Sequence, residues 1–290
     1  MKFIHLPSVG STNSEMLRRL EANETMEEGT VIWTTRQTAG RGQPGNSWES
    51  EADKNISFSM LLHPTWLSPA RQFCLSEIAA LGIAEALDEY FPDFEIKWPN
   101  DIYHDDRKIA GMLIENRIVG NRLQDCVTGI GININQTEFL SPAPNPVSLR
   151  QLMLEKVLEN EGAYPDTLQP PGSTVTLRAV DTGLLERLEA SMDEIAPEAV
   201  LQKVCERIFS LYREVRDRGA EAVGKAYRDR LYRRDGFHPY QDTETGETFN
   251  GRVADIAPDG RITLEKESGE KRQYWFKEVK FVLPCGITKE

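Results

Sequence analysis

Runs of apolar and β-branched residues, broken by polar turns, divide the chain into strand-like and helix-like segments. KFIHL is a short strand pattern; TVIWTTRQ (residues 30–37) and NISFSMLLH (55–63) are two more. After KFIHL, Thr12 and Glu15 have capping-box spacing, and Met16, Leu17 and Leu20 share one helical face. Ser68-Pro69 opens a long helix with Ser68 as its cap, running to about residue 90. Phe73, Ile78, Ala79, Ile83, Ala84 and Leu87 give that helix a broad apolar stripe. Four strand patterns follow at 94–98, 101–104, 108–120 and 123–134, separated by the turns PND, HDDR and GNR. Connections this short favour antiparallel pairing. Residues 141–171 are proline-rich and read as loop with one short helix, SLRQLMLEKVLE. Residues 184–232 read as helical, with the long amphipathic run AVLQKVCERIFSLYREV. From Gly236 short strands alternate with turns such as PDG and SGE. Partial segregation of helices and strands predicts an α+β fold with a largely antiparallel sheet over 1–234. A small SH3-like barrel is expected over 235–290.

The length, 290 residues, suits one large domain with a small one, and 39% hydrophobic content is enough for a core. A net charge of −12 disfavours binding to nucleic-acid phosphates. Cys74, Cys126, Cys205 and Cys285 lie far apart with no C-x-x-C, which points to reduced thiols rather than zinc. The N-terminus has no signal-peptide pattern, and no stretch reaches the ~20 apolar residues of a membrane span. A cytoplasmic protein is expected, without membrane contact.

The stretch TAGRGQPGNSW places Gly40, Gly42 and Gly45 in a G-x-G-x-x-G pattern. A dinucleotide site needs such a loop between a strand and a helix, because the pyrophosphate sits on the helix N-terminus. Here the loop lies between two strand patterns, Pro44 removes a backbone N–H, and no acidic residue ends the next strand. The fingerprint is therefore accidental. By composition the loop is either a mobile surface segment or an anion cradle with Arg41 as its cation.

Other candidates stand beside plainer readings. KWPND displays Lys97, Asn100 and Asp101 around a bend fixed by Pro99, or is an ordinary hairpin turn. In RKIAGMLIE, Arg107 belongs to the polar turn and is solvated. Lys108 begins an apolar strand and faces either a pocket or solvent, and Gly111 allows close approach to the sheet. GIGININ has Gly129 and Gly131 on one face and Asn133 near its end, leaving room over the sheet or forming a bulge. Ser11, Thr12 and Asn13 either cap a helix or bind a small polar head group. YRDRLYRRD, the basic cluster, ends a helix. No Ser-His-Asp arrangement is visible, and the four histidines show no metal spacing.

Taken in order, GSTNSE, QTAGRG…G..W, KWPNDIY, RKIAGMLIE and GIGININ resemble the motifs of the biotin protein ligases (biotin–[acetyl-CoA carboxylase] ligases). They span residues 10–135, and FNGRVADI…GRITL…FKEV resembles the family's C-terminal domain. The resemblance is weak over 154–180. It implies a catalytic domain related to class II aminoacyl-tRNA synthetases and an SH3-like domain, in the form without an N-terminal DNA-binding domain. It also implies ATP with Mg2+ as co-substrate and ion, biotin as substrate, and the biotin carboxyl carrier protein of acetyl-CoA carboxylase or a related enzyme as partner.

By the same resemblance, Ser11, Thr12, Asn13 and Gln37 hold biotin's ring. Arg41, Gly42 and Gln43 belong to the loop that closes over biotin and the phosphates. Lys108 contacts the reacting carboxylate, with Gly111 beside it. Lys97, Asn100, Asp101 and Asn133 form the ATP and catalytic pocket, and Trp48 anchors the far end of the loop. No metal ligands are assigned to the protein itself. Gln43 departs from the family, many members of which carry an arginine there. A monomer or weak homodimer that does not bind DNA is expected. A lipoate or octanoate ligase or transferase of the same fold is the nearest rival, ahead of a ligase-derived binding module and a transcriptional regulator.

Overall fold

The strand patterns pair much as they follow one another along the chain. The computed structural model describes residues 1–43, 45–140, 145–160 and 182–283. One sheet holds β1 (Lys2–His5), β2 (Thr30–Thr34), β3 (Ile56–Leu62), β4 (Glu95–Lys97), β5 (Asp101–His104), β6 (Arg107–Val119) and β7 (Arg122–Ile132). Its order is β1-β2-β3-β7-β6-β5-β4, and only β1 and β2 run parallel. A second, antiparallel sheet orders β8 (His238–Asp242), β9 (Thr248–Ile256), β10 (Ile262–Lys266), β11 (Lys271–Tyr274) and β12 (Val279–Phe281) as β11-β10-β9-β8-β12. The helices are α1 (Thr12–Glu21), α2 (Phe73–Leu87), α3 (Leu149–Asn160), α4 (Thr182–Ser191), α5 (Pro197–Arg218) and α6 (Glu221–Asp229).

The two faces of the first sheet carry different residues, because side chains alternate along a strand. Val31 and Trp33, Ile56, Phe58, Met60 and Leu62, and Ile130 and Ile132 point to one face, where they join α2 and α5 in a single core. That core continues into the second sheet through Tyr240, Phe249 and Ile262. Helix α2 is buried on nearly every side, and Gly82 lets α5 approach: a Cβ there would lie 2.6 Å from Ile208. On the other face Ile32, Leu61 and Val127 make a smaller cluster with Met16 of α1.

Several local expectations are corrected. The cap of α1 is Ser11, whose side chain accepts from Ser14 N; Thr12 is already helical, and Glu15 pairs with Arg18 and Arg19. Both residues can cap, but Thr12 and its hydroxyl are drawn inward to Gln37. Ser68 makes no side-chain cap; a 3-10 turn (Pro69–Arg71) precedes α2, which ends at Leu87 rather than residue 90. The 184–232 segment is three helices, broken before Pro197 and at Gly219, where φ is +90° and favours glycine. The segment read as a strand from Lys271 is split into β11 and β12 by a turn in which Trp275 N bonds the Glu278 carboxylate. Pro44, Cys285 and most of the weakly resembling 154–180 stretch lie outside the described residues. Cys74, Cys126 and Cys205 are buried free thiols, and burial pushes Cys74 and Cys126 each up to about 12. Among the described residues no helix is long and apolar enough to cross a membrane.

Glu95 of β4 carries a pH dependence. Burial pushes its carboxyl up to about 6; Asp105, Asp106 and Asp93 add to the effect and His104 opposes it. The folded chain therefore holds this proton more tightly than the unfolded chain. The resulting destabilisation is absent below the ordinary value near 4.5 and complete above about 6. Each pKa unit is about 1.36 kcal/mol, and screening at this half-buried position reduces the total to about 1 kcal/mol. Glu95→Gln should raise stability by that amount at pH 7 and change it little at pH 4, read from urea unfolding. An equal gain at both pH values would remove the charge as the cause.

Candidate active site

The sheet register places small or charged residues side by side on the face away from α2. Across six strands one row reads Lys97, Asp101, Gly111, Gly131, Ser57 and Thr34. The next row includes Leu113, Gly129 and Ser59. The glycines lower the floor, and a cavity of about 1010 Å3 opens above it. Neighbouring groups occupy the space a side chain would need. A Cβ on Gly129 would lie 2.0 Å from Asn13 Oδ1, and one on Gly131 2.3 Å from the Trp48 ring. The glycines of GIGININ thus make room over regular strand, and no bulge is needed there.

The N-terminus of α1 forms one corner. Thr12 N donates to Gln37 Oε1 at 2.9 Å. The Ser59 hydroxyl lies 2.8 Å from Thr12 Oγ1 and 2.5 Å from Asn13 Oδ1. Asn13 Nδ2 donates to Leu113 O and to Glu115 at 2.9 Å. Ser11 lines the same corner while capping the helix, so the two readings of this tripeptide hold together.

The glycine loop runs between β2 and β3, not into a helix. It doubles back on itself: Gly42 N donates to Asn46 O, Asn46 N to Gln43 O, and Trp48 N to Gly40 O. Gly40 is needed at the crossing, because a Cβ there would lie 2.3 Å from Trp48 O. Arg41, Gly42 and Gln43 reach the cavity. Arg41 Nη2 is 2.8 Å from Glu115 Oε1, and Nη1 is 3.2 Å from Ser14 Oγ.

The opposite wall is cationic. Lys108 Nζ lies 2.6 Å from Asp101 Oδ1, and Lys97 Nζ lies 3.9 Å from Asp101 Oδ2. Burial pulls the Lys97 pKa below its ordinary value; Asp101 opposes this, and Lys108 and Arg233 add to it. Its ammonium sits 5.1 Å from the rings of Tyr103 and Phe281, which partly replace lost water. Asn100 braces the turn, donating to Met112 O at 2.6 Å. Lys108 Nζ also lies 5.5 Å from the Trp48 ring. Asn133 donates to Val147 O. Its Oδ1 and Trp48 Nε1, both in groups lining the cavity, are buried without a hydrogen-bond partner among the described residues.

Every candidate site residue therefore lines one cavity. Sequence reasoning missed Glu115, which two-residue periodicity from Gly111 places on the same face. It also missed Phe276, Lys280 and Phe281, which reach the cavity from the second sheet. Arg107 is corrected: it is not solvated but forms a two-pronged pair with Glu155 at 2.6 and 2.7 Å.

Residues 6–133 match the model of the Biotin/lipoate A/B protein ligase family. Over those residues the chain is similar to that family. It is 26% identical over 255 residues to the bifunctional ligase/repressor BirA of Bacillus subtilis, covering 87% of this chain and 66% of that protein. It thus spans just under two thirds of that relative's length. It is 32% identical over 134 residues to a biotin–[acetyl-CoA-carboxylase] ligase of Paracoccus denitrificans, covering 44% and 53% of the two chains. Among solved structures, the biotin protein ligase from Aquifex aeolicus in complex with biotin and ATP matches with a TM-score of 0.66 at 21% identity. That match covers 98% of this chain and 99% of the other, a likeness of fold.

The cavity floor depends on close packing at Gly129. Gly129→Ala should push Asn13 aside and cost about 1–3 kcal/mol of stability, as overpacking does. Removing the obstruction with Asn13→Ala in the same chain should recover part of that loss, giving a non-additive pair in urea unfolding. Strict additivity would mean that the new methyl does not meet Asn13.

Proposed function

We propose that this chain is an ATP-dependent biotin protein ligase. A biotin carboxylate oxygen attacks the α-phosphorus of ATP, the bond to pyrophosphate breaks, and biotinyl-5′-AMP forms. A lysine amine of a biotin carboxyl carrier protein then attacks the acyl carbon and AMP leaves. The observation that carries this reading is the convergence of Arg41, Lys97 and Lys108 on a glycine-floored cavity whose far corner is lined with neutral polar groups. Such a cavity admits a small ligand with a neutral polar head and an anionic end. Fixed cations suit the charge that builds on the α-phosphate during adenylation.

Each group then has a task. Ser11, Thr12, Asn13 and Gln37 hold the neutral ring. Lys108 orients the carboxylate, and Arg41 covers carboxylate and phosphate together. Lys97, Asn100, Asp101 and Asn133 surround the nucleotide, with Trp48 offering its ring as a lid. The partnerless Trp48 Nε1 and Asn133 Oδ1 are the polar atoms left for ligand. Gly42 and Gly111 permit close approach. Mg2+ fits as an ion carried on the phosphates: no cluster of carboxylates able to cage a metal is present among the described residues, and Mg2+ ordinarily keeps waters and substrate oxygens. We read the first sheet and its helices as a domain of the class II aminoacyl-tRNA synthetase type ending near Arg234, and the second sheet as SH3-like. The carrier of acetyl-CoA carboxylase, a cytoplasmic setting and action as a monomer or weak homodimer without DNA binding complete the reading.

Biotin-dependent exchange of labelled pyrophosphate into ATP tests it, with lipoate and octanoate as controls. Exchange with biotin alone is expected. Exchange only with lipoate would keep the fold and overturn the substrate, and none with any acid would leave a binding module. Arg41→Ala and Lys108→Ala should each cut exchange roughly 10²–10³-fold, and near-normal rates would remove them from the chemistry. Gln43→Arg, adding a second loop cation, should slow loss of the adenylate in a trapping assay; unchanged release would reject that role.

A further inference from the structure

Ser59 stands behind the corner that α1 offers to the cavity, and no step above uses it. It is wholly buried on β3, whereas Thr12 and Asn13 line the cavity. Opposite it on β7 is Gly129, and only the missing side chain there leaves room for Asn13 Oδ1 over the sheet. The Ser59 hydroxyl donates to Asn13 Oδ1 at 2.5 Å and to Thr12 Oγ1 at 2.8 Å, one proton shared by two oxygens. The side-chain protons of those two residues are spent elsewhere. Asn13 Nδ2 donates to Leu113 O at 3.0 Å and to Glu115 Oε2 at 2.9 Å, which fixes the amide so that Oδ1 faces Ser59. The Thr12 hydroxyl donates to Gln37 Oε1 at 3.4 Å, a long contact. Thr12 and Asn13 are left with oxygen lone pairs, and no side-chain N–H or O–H, for whatever enters the cavity.

We propose that Ser59 is a positioning residue whose shared proton keeps Thr12 and Asn13 turned as acceptors for N–H groups of the ligand's ring. Two oxygens that converge on one donor are held together by it, and buried oxygens without a donor are costly. Each oxygen keeps a further lone pair for the ligand. Without Ser59 the Thr12 hydroxyl is held by the long Gln37 contact alone, and its proton is free to turn into the cavity. The corner then accommodates a ring oxygen as well as a ring N–H. A site whose buried acceptors need N–H partners rejects an isostere that lacks them, because its lone pairs are left unpaired. The choice of N–H over oxygen therefore originates one layer behind the surface that the ligand touches. This inference rests on the ligase reading for the identity of the ring, but not for the arrangement of the protons.

Two measurements separate the proposal from that reading. Calorimetry compares biotin with two cyclic carbamates, each with one ring N–H replaced by oxygen. The unaltered protein should prefer biotin to the weaker-binding carbamate by about tenfold or more. Ser59→Ala should weaken biotin binding about tenfold and leave that carbamate nearly unchanged, so that the preference collapses. A merely structural role would weaken both ligands alike, and an unchanged preference would overturn the proposal. Ser59→Cys, close in shape but a weaker donor, should shift the preference in the same direction by less; it carries the test if Ser59→Ala does not fold. Neutron diffraction from deuterated crystals needs no ligand. The Ser59 deuteron should lie towards Asn13 Oδ1 and Thr12 Oγ1, and the Asn13 Nδ2 deuterons towards Leu113 O and Glu115. A Ser59 deuteron turned away from both oxygens, or a reversed Asn13 amide, would overturn the proposal. Absence of biotin binding to the unaltered protein, with the deuterons as expected, would count against the ligase reading alone.

Discussion

The register of the seven-stranded sheet is the constraint on which the rest depends. Lys97, Asp101, Gly111, Gly131, Ser57 and Thr34 share one row only because their strands are aligned as they are. A slip of one residue in any strand would exchange its two faces. The apolar face forbids that slip. Phe58, Met60, Ile130 and Ile132 are each almost wholly buried against α2 and its neighbours. Burying one such side chain is worth about 1.5–3 kcal/mol, so turning a strand over would cost several of these at once. The hydrophobic core thus sets the position of a cavity to which it contributes no polar group.

Charge follows from that geometry. The chain carries a net charge of −12, yet Arg41, Lys97, Lys108 and Asp101 line the cavity together, with Glu115 paired to Arg41. Those five side chains sum to one positive charge when ionised. Bringing cations together and partly out of water is unfavourable unless counter-charges are near. Asp101 serves both lysines and Glu115 serves the arginine. Because these pairs are partly exposed, the cations remain available to an anion that enters. Lys97 is the exception: it is held among Tyr103, Phe281 and Asp101, and burial lowers its pKa.

Much of this was legible in the sequence, for identifiable reasons. Strands β4 to β7 show as apolar runs cut by short polar turns, and short turns impose antiparallel neighbours. The glycine loop was excluded as a dinucleotide site because no helix follows it, and none does. What failed was long-range. Nothing near Arg107 announces Glu155, 48 positions away, so a part-buried pair read as a solvated turn residue. Ser11 and Thr12 are equally competent caps, and the inward contacts of Thr12 with Gln37 and Ser59 decide between them. Phe276 and Phe281 read as barrel residues, because strand patterning reports which face is apolar and not which neighbouring sheet it meets.

That last gap shows where the cavity sits in the molecule. The second sheet is joined to the first at the very residues that line the cavity. Trp98 donates its indole N–H to Gly260 O at 2.9 Å, and its ring meets Phe276 edge-on. Gly260 can lie there because it has no side chain: a Cβ would stand 2.7 Å from Phe73, at the start of α2. Arg233 follows α6 and donates to the carbonyls of Pro239, near the start of β8, and Val282, just past the end of β12. Its guanidinium also adds to the field that lowers the Lys97 pKa. One set of contacts therefore holds the two sheets together and dries the lysine between them. Ligand cavities commonly form at such junctions, and here the junction supplies both a wall and part of the electrostatics.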